Sequence, residues 1–442
     1  MKKAKTIVKI NITKSMASIV FVMMFVVDFA QIHFNSNMPL VVMWVGALLL
    51  LLCLHPQIKL NLGSLNRIQV VWILFQCYTV LATILNFLLK TRRRYGITEL
   101  LLICLISYIF PCFTSWFLIG KKQSFFLGKL FKNCVFFCSI LGLFEYVTRI
   151  KPYSWIITSE LALNNQLVFS SAISRTYRLT LFFYHPTYYS MILAVAIICC
   201  LFIPYKNKIF NLVALLLMGI NLALTQSRTG WFACIIGIVF YLLCNNTKKR
   251  ITLKQLKGIL KYGALIIILV VIFIGFNNTI WNSIFEVINE RISELLQGNA
   301  YGARLANFNI IQTLRKTNEE YIFVFGGGER FAITYLQAHT FIDSWNNAID
   351  NQFLTILLNF GVIGLELYLA VFILALKYFW EMRYNKELAF PFVILIMLIF
   401  SSFLFEPIGP NFIGVLFNII IALTYVEKKS TGIVTYKQVS NS

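Results

Sequence analysis

Apolar runs recur along almost the whole chain and are separated by shorter polar stretches. A bilayer core about 30 Å thick requires roughly 20 apolar residues for each helical crossing, so the pattern predicts about twelve transmembrane helices. They are expected over residues 16–34, 38–54, 68–89, 98–119, 130–148, 186–203, 208–224, 228–244, 260–281, 352–376, 388–405 and 410–426. The predicted fold is an all-α polytopic membrane protein with a single integral membrane domain, residues 1–426.

Two polar stretches are much longer than the others, residues 149–185 and 282–351. Lys and Arg concentrate in the alternate set of loops, most densely between Lys248 and Lys261. The positive-inside rule therefore predicts cytoplasmic termini, with 427–442 as a cytoplasmic tail, and places both long stretches in extracytoplasmic loops. A transporter usually keeps its loops short and its polar residues at mid-membrane. Here the polar residues lie in the extracytoplasmic loops, above all in 282–351, which indicates chemistry at the outer face of the membrane.

One basic cluster departs from this topology. Lys90-Thr91-Arg92-Arg93-Arg94 is predicted to face outward, where basic residues are disfavoured. Two interpretations stay open. Either the span boundaries differ near this cluster, or it forms an outer basic patch that meets anionic lipid or a phosphate-bearing ligand.

Composition supports a membrane protein and removes other classes. The chain is 59% hydrophobic and only 13% charged, which is not typical of a soluble globular protein. The net charge of +22 follows the predicted topology, so no nucleic-acid partner is expected. Most of the cysteines lie in apolar runs without a Cys-x-x-Cys pair, and we interpret them as small hydrophobic residues. No pattern in the sequence requires a metal or a cofactor.

Arginines near the predicted outer face are the first candidate site residues. Arg175 and Arg178 precede a span, Arg228 lies between two spans with almost no loop, and Arg304 lies in the large loop. An arginine this close to hydrocarbon is costly unless it reaches the interface or is paired, so Arg228 is alternatively an interfacial anchor beside Trp231. The planar guanidinium group suits phosphate oxygens. Arg178, Arg228 and Arg304 therefore predict a diphosphate-binding layer on one side of the membrane.

Two residues near this layer are candidates for a general base, Asp350 and His339. A base must lie close to the hydroxyl that loses its proton and must have a suitable pKa. Asp350 is alternatively the N-cap of the helix that begins near Gln352, and capping and catalysis are compatible. His339 is alternatively an ordinary loop residue. His185, next to Pro186, is expected to shape the start of its helix.

Glycines lie before and after these candidates. Gly326-Gly327-Gly328 lacks the Gly-Lys-Ser/Thr of a nucleotide P-loop and predicts a tight turn or a close backbone approach. Gly361 and Gly364, inside the following apolar run, are expected to serve helix packing. The residues expected to line the substrate loop are Arg175, Gly327, Gly328, Glu329 and Asn351.

The order of these features resembles the O-antigen polymerase and ligase superfamily of bacterial polysaccharide assembly. The matching features are Arg178 before His185-Pro186, Ser227-Arg228-Thr229-Gly230, Arg304, Phe325–Gly328, Asp350-Asn351-Gln352-Phe353-Leu354 and Gly361–Gly364. They cover the second two-thirds of the chain, whereas the first 150 residues match only as hydrophobic spans.

The resemblance implies a metal-independent, Wzy-type glycosyltransferase that polymerises O-antigen, capsule or exopolysaccharide. Its donor and acceptor would be oligosaccharides on undecaprenyl diphosphate, with membrane lipid around the polyprenyl tails. The diphosphate is already an activated leaving group, so the arginines would need only to stabilise its departure. A flippase and a chain-length regulator of the same pathway are the expected protein partners.

Two alternatives stay open. Ligases of the superfamily typically carry a histidine just before the Asn, where this chain has Asp350, and His339 lies further upstream. That departure favours a polymerase over an O-antigen ligase. A non-enzymatic flippase or transporter of lipid-linked oligosaccharides would instead line a mid-membrane cavity with charges and would not need residues 282–351.

Overall fold

The computed structural model describes a large part of the chain as helices joined by turns. The described residues are 14, 17–22, 38–54, 65–89, 95–119, 123–150, 177–183, 185–244, 321–338, 349–409 and 411–424. No β-strand occurs among them. The prediction of an all-α fold is confirmed for this part of the chain.

We number the helices α1 to α13 in chain order. They are α1 Met38–Leu54, α2 Arg67–Leu88, α3 Ile97–Cys104, α4 Phe110–Trp116, α5 Ser124–Thr148, α6 Pro186–Phe202, α7 Lys208–Leu224, α8 Arg228–Cys244, α9 Tyr321–Phe325, α10 Phe331–Ala338, α11 Gln352–Met382, α12 Lys386–Ser401 and α13 Phe412–Leu423. A π-helical segment, Leu105–Ile109, joins α3 to α4. The predicted span 260–281, most of the span 16–34 and the basic cluster 90–94 lie outside the described residues.

Four helices are long and apolar enough to cross a membrane: Arg67–Leu88, Ile97–Trp116, Ser124–Thr148 and Gln352–Met382. Shorter apolar helices include α6, α7, α8 and α13. The outer faces of the long helices expose apolar side chains such as Leu74, Leu81 and Phe144. Such a surface is unfavourable in water and suits contact with lipid. The count of twelve spans and the side of each loop stay predictions.

A proline explains the π-helical segment. Pro111 has no N–H to donate to the carbonyl of Ser107, so the regular hydrogen-bond ladder is interrupted just before it. The wider turn carries Tyr108, which is buried. Single π turns inside α-helices are frequent at functional sites.

Helix α5 begins at Ser124, earlier than residue 130, where the apolar run predicted its start. The predicted start follows Lys129, a charge that interrupts the apolar run but is exposed on the helix. Lys132, inside the predicted span, is buried. Its Nζ donates to the carbonyl of Ile203 at the end of α6 and lies 3.5 Å from the centre of the Tyr205 ring. A cation at a helix C-terminus is stabilised by the helix dipole, so this lysine fits inside the bundle.

Helices α6, α12 and α13 form the centre of the bundle, because nearly all of their residues are buried. Helix α6 packs against α5, α7 and α8, and α12 packs against α8, α11 and α13. Helix α2 packs along α11. The faces of the outer helices that do not pack inside the bundle expose apolar side chains.

Helix α11 is interrupted at Gly361, whose backbone (φ 65°, ψ −169°) is not helical. A Cβ at this position would lie 2.3 Å from the carbonyl oxygen of Val324. The prediction that Gly361 serves ordinary helix packing is wrong, because here it permits a break and a close approach of another backbone. Gly364 follows the break, and a Cβ there would lie 2.4 Å from the Cβ of Phe360 in the same helix.

The glycine-rich turn 326–328 docks into this break. The N–H groups of Gly327 and Gly328 donate to the carbonyls of Leu358 and Asn359, both at 2.8 Å. These carbonyls lie just before the break, so the turn supplies donors that a continuous helix would otherwise provide. The predicted close backbone approach at Gly326–Gly328 is confirmed.

The helix termini define two ends of the bundle. Helices α6, α8, α11 and α13 begin at one end, which we call the site end because the described candidate residues lie there. Helices α2, α5, α7 and α12 begin at the other, which we call the opposite end. At that end the side chain of Asn66 donates to the carbonyl of Thr424 at 2.8 Å.

Candidate functional site

The irregular segment 177–183 is held between two helices at the site end. The Leu179 N–H donates to the carbonyl of Leu224, at the end of α7, at 3.1 Å. The Tyr177 hydroxyl donates to the carboxylate of Glu145, near the end of α5, at 2.7 Å. The segment is therefore fixed without having helical structure of its own.

Arg178 is attached to the turn between α7 and α8. Its Nε donates to the carbonyl of Thr225 at 3.2 Å, just before Arg228 begins α8. Both arginines are half-buried. Two of the three predicted diphosphate ligands therefore reach the same turn.

The sequence around Arg228 explains how this turn is built. The indole Nε1 of Trp231 donates to the carbonyl of Leu222 at 3.1 Å, which satisfies a group at the end of α7. A Cβ on Gly230 would lie 2.4 Å from the Cβ of Ser190, so glycine lets α8 approach α6 closely. Trp231 thus binds the α7 terminus, and the interpretation of Arg228 as an interfacial anchor beside it stays open.

His185 is the N-cap of α6 and shapes the start of this helix, as the sequence predicts. Its Nδ1 accepts from the Thr187 N–H at 3.1 Å, and Pro186 occupies the first helical position. Burial, and then the positive charge of Arg178, lower the pKa of His185 to about 3. The imidazole is therefore neutral at physiological pH, and because Nδ1 accepts, the proton resides on Nε2.

Asn351, and not Asp350, caps α11. The Asn351 side chain accepts from the Leu354 N–H at 3.1 Å. Asp350 has a φ of 53°, whereas an N-cap residue requires extended backbone. The interpretation of Asp350 as the N-cap is therefore wrong, because the capping position lies one residue later.

Glu406, in the connection between α12 and α13, joins that connection to the start of α11. The Thr355 hydroxyl donates to Glu406 Oε1 at 2.7 Å. Backbone N–H groups of Ile349 and Asp350 also donate to its carboxylate. Burial raises the pKa of Glu406, and these donors oppose the rise while the charge of Asp350 adds to it. The site end therefore holds two acidic side chains close together.

Glu329 follows the glycine-rich turn and places a further carboxylate near Glu406. Its N–H donates to the Thr83 hydroxyl at 3.1 Å, and its Oε2 accepts from the Tyr108 hydroxyl at 3.1 Å. Burial raises the pKa of Glu329 to about 7, against the lowering effects of the Tyr108 hydrogen bond and the Arg330 charge. The negative charge of Glu406 contributes to the rise, so the two carboxylates act on each other.

Backbone strain concentrates at the same end. Among the described residues, the non-glycine residues with positive φ are Arg149, Leu181, Gln226, Arg330 and Asp350. All of them lie in the segments that terminate or connect helices at the site end. Such conformations cost about 1–3 kcal/mol each and persist only where the surrounding structure holds them.

Comparison with protein families shows which known class of proteins the chain resembles. Residues 213–369 match the family described as O-antigen ligase. The resemblance to the O-antigen polymerase and ligase superfamily is thereby confirmed, and the match indicates a membrane protein similar to O-antigen ligases or polymerases. A comparison with curated proteins gives no match.

The O-antigen ligase match extends from α7 into α11. It includes Arg228, the turn Gly327–Glu329 and Asp350-Asn351, whereas Arg178 and Glu406 lie outside the matched residues. The structure brings all of these to the site end. Arg175, Arg304 and His339 lie outside the described residues, so their roles stay predictions.

Sequence reasoning missed Glu406 and Tyr108. The signal for Glu406 is a carboxylate in a very short connection between two apolar runs, where an acidic residue is costly unless it is used. The signal for Tyr108 is weaker. Only Pro111 indicates an irregularity in that helix, and the proline does not reveal which side chain the irregularity presents.

Proposed function

We propose that the chain is a polysaccharide polymerase, for O-antigen, capsule or exopolysaccharide, that joins undecaprenyl-diphosphate-linked repeat units. The observation that carries the proposal is the hydrogen bond from Arg178 Nε to the carbonyl of Thr225, in the turn after which Arg228 begins α8. Segments distant in sequence thereby hold two half-buried guanidinium groups at one end of a membrane protein. Arginine's planar group suits the oxygens of a diphosphate.

Helix geometry supports an anion at the same place. Helices α6, α8, α11 and α13 all begin at the site end, and the N-terminus of a helix carries partial positive charge. Half-buried arginines and helix N-termini in a partly dry site stabilise negative charge more strongly than the same groups in water. A departing diphosphate is the species that gains from both.

In the proposed reaction the growing chain on its lipid diphosphate is the donor. A hydroxyl of the incoming unit attacks the donor's anomeric carbon and forms the new C–O bond. The bond from that carbon to the diphosphate oxygen breaks, and undecaprenyl diphosphate leaves with the electron pair at the arginines. Asp350 and His339 are the sequence-based candidates for accepting the hydroxyl proton.

Deletion of the gene in its bacterium tests this function. Lipid-linked saccharides from the deletion strain and its parent are separated and compared. We expect single repeat units and no long chains in the deletion strain, restored by the intact gene. Polymer of normal length in the deletion strain would contradict the proposal.

The second candidate is an O-antigen ligase, which the description of the matched family favours. A ligase transfers finished polymer to a different acceptor. Its loss would leave long lipid-linked chains instead of single units, so the same analysis separates the two activities.

A further inference from the structure

The position of Glu329 is fixed from two sides. The preceding turn is hydrogen-bonded to the broken part of α11, and a Cβ at Gly326 would lie 2.2 Å from the Asn359 carbonyl oxygen. The Glu329 N–H is held by Thr83 of α2. Arg330, directly after it, has a φ of 61°, so the backbone turns sharply there. A carboxylate on such a support is held in one place.

The carboxylate keeps acceptor capacity. The Tyr108 hydroxyl and the Arg330 backbone N–H donate to it, whereas a carboxylate offers about four lone-pair sites. Its side chain is half-buried, so it is neither fully enclosed nor fully hydrated. Glu329 therefore combines a fixed position with room for one more proton donor.

Charged and titratable groups face Glu329 from three elements. Arg330 lies on its own turn, Tyr108 and Cys104 lie on the span that contains the π-helical segment, and Glu406 lies between α12 and α13. Their opposing effects leave Glu329 titrating near neutrality, with a pKa of about 7. A general base is most effective when its pKa lies near the working pH.

The neighbouring carboxylates are used differently. Glu406 accepts from the Thr355 hydroxyl and from the N–H groups of Ile349 and Asp350, so its oxygens hold the start of α11 together. Asp350 supplies one of those N–H groups from a strained backbone. Glu329, by comparison, accepts one side-chain donor, the Tyr108 hydroxyl, and one backbone donor, the Arg330 N–H.

We propose that Glu329 accepts the proton of the attacking sugar hydroxyl, with Tyr108 as its positioning residue. This inference rests on the proposed function and assigns the base of that reaction. As the hydroxyl oxygen bonds to the anomeric carbon, its proton moves to Glu329, and the electron pair of the breaking bond leaves with the diphosphate. Glu329 then returns the proton to the diphosphate or to solvent before the next transfer.

The test uses the purified full-length chain in lipid nanodiscs and lipid-linked repeat units extracted from the deletion strain. The variants are Glu329→Gln, Glu329→Asp and Tyr108→Phe, with Glu381→Gln, an exposed position at the opposite end, as the matched control. Elongation rates are measured between pH 5 and 9. Binding of undecaprenyl diphosphate is measured in parallel, because retained binding shows that a variant is folded.

We expect Glu329→Gln to lower kcat by about 100-fold or more with binding unchanged, Glu329→Asp to keep part of the rate, and Glu381→Gln to be active. The wild-type rate should rise with pH through about 7, because a base works only when ionised. Tyr108→Phe should move that rise to higher pH, because the lost hydrogen bond favours the ionised carboxylate.

A Glu329→Gln chain that retains kcat, or a pH profile that Tyr108→Phe does not move, overturns this inference alone. A wild-type chain that elongates nothing overturns the proposed function and the inference with it. The two failures are therefore distinguishable.

Discussion

The two ends of the helix bundle treat buried polar groups in different ways. At the opposite end the buried side chains of Gln69 and Lys132, together with Asn66, bind helix termini. Asn66 forms a capping box with Gln69, and the Gln69 amide donates to the carbonyl of Thr424 at 3.0 Å. Lys132 donates to the end of α6. These contacts stabilise the bundle, and the backbone around them is regular.

The site end differs both in its buried polar groups and in its backbone. Arginines and carboxylates both lie at this end, and His185 there is neutral. Every described non-glycine residue with positive φ also lies at this end. Strain and buried charge reduce stability, so their concentration at one end indicates that it is used for chemistry. The opposite end is therefore the scaffold, and its regular backbone supports the strained end.

The largest expected effect comes from removing the arginines. Arg178→Ala and Arg228→Ala should each abolish chain elongation in cells while the protein stays in the membrane, because the diphosphate loses a charged hydrogen-bond donor. Arg383→Ala is the matched control, since Arg383 lies at the opposite end with its guanidinium 3.7 Å from the centre of the Trp380 ring. Polymer length and membrane-protein level are measured together. Normal polymer in both site variants would contradict the diphosphate assignment.

The second effect concerns the break in α11. Gly361→Ala should reduce elongation at least about 10-fold, because positive φ at a non-glycine residue costs about 1–3 kcal/mol and the new Cβ displaces the glycine-rich turn and Glu329. Gly219→Ala in α7 is the control, because a Cβ there meets nothing within 4 Å. Equal activities of the two variants would show that the turn need not dock at the break.

The smallest effect comes from removing one helix N-cap at each end of the bundle. Asn351→Ala and Asn207→Ala each remove a helix N-cap and should each lower the free energy of unfolding by about 1 kcal/mol. Only Asn351→Ala should also slow elongation, because Asn351 fixes the backbone beside Asp350. Thermal unfolding and elongation rate of both variants test this. An equal rate in the two would mean that the cap has no influence on the site.

The scaffold was largely predictable because apolar runs determine where membrane helices form. The predicted and observed bounds of α6, α7 and α8 differ by at most the last residue. The start of α5 was predicted too late, because Lys129 interrupts the apolar pattern although the helix continues through it. Gly361 looks like a packing glycine because a break inside an apolar run leaves no polar signal.

The residue types of the candidate site could be proposed from the sequence, whereas their contacts could not. Arg178, Arg228 and the glycine-rich turn could be identified from their order along the chain. The sequence does not show which residue caps α11. The positive φ of Asp350 excludes it from the capping position, which falls one residue later, at Asn351. Glu406 and Tyr108 come from segments distant in sequence, and only the fold brings Glu406 to Asp350 and Tyr108 to Glu329.

Affinity for undecaprenyl diphosphate is the measurement that tests the central claim most directly. The dissociation constant is determined for the purified full-length chain, Arg178→Ala, Arg228→Ala and Arg383→Ala. Hydrogen bonds between charged groups contribute about 1.5–3 kcal/mol, so we expect each site variant to bind roughly 10- to 100-fold more weakly and Arg383→Ala to bind like the wild type. Equal affinity in all four proteins would contradict a diphosphate site at Arg178 and Arg228.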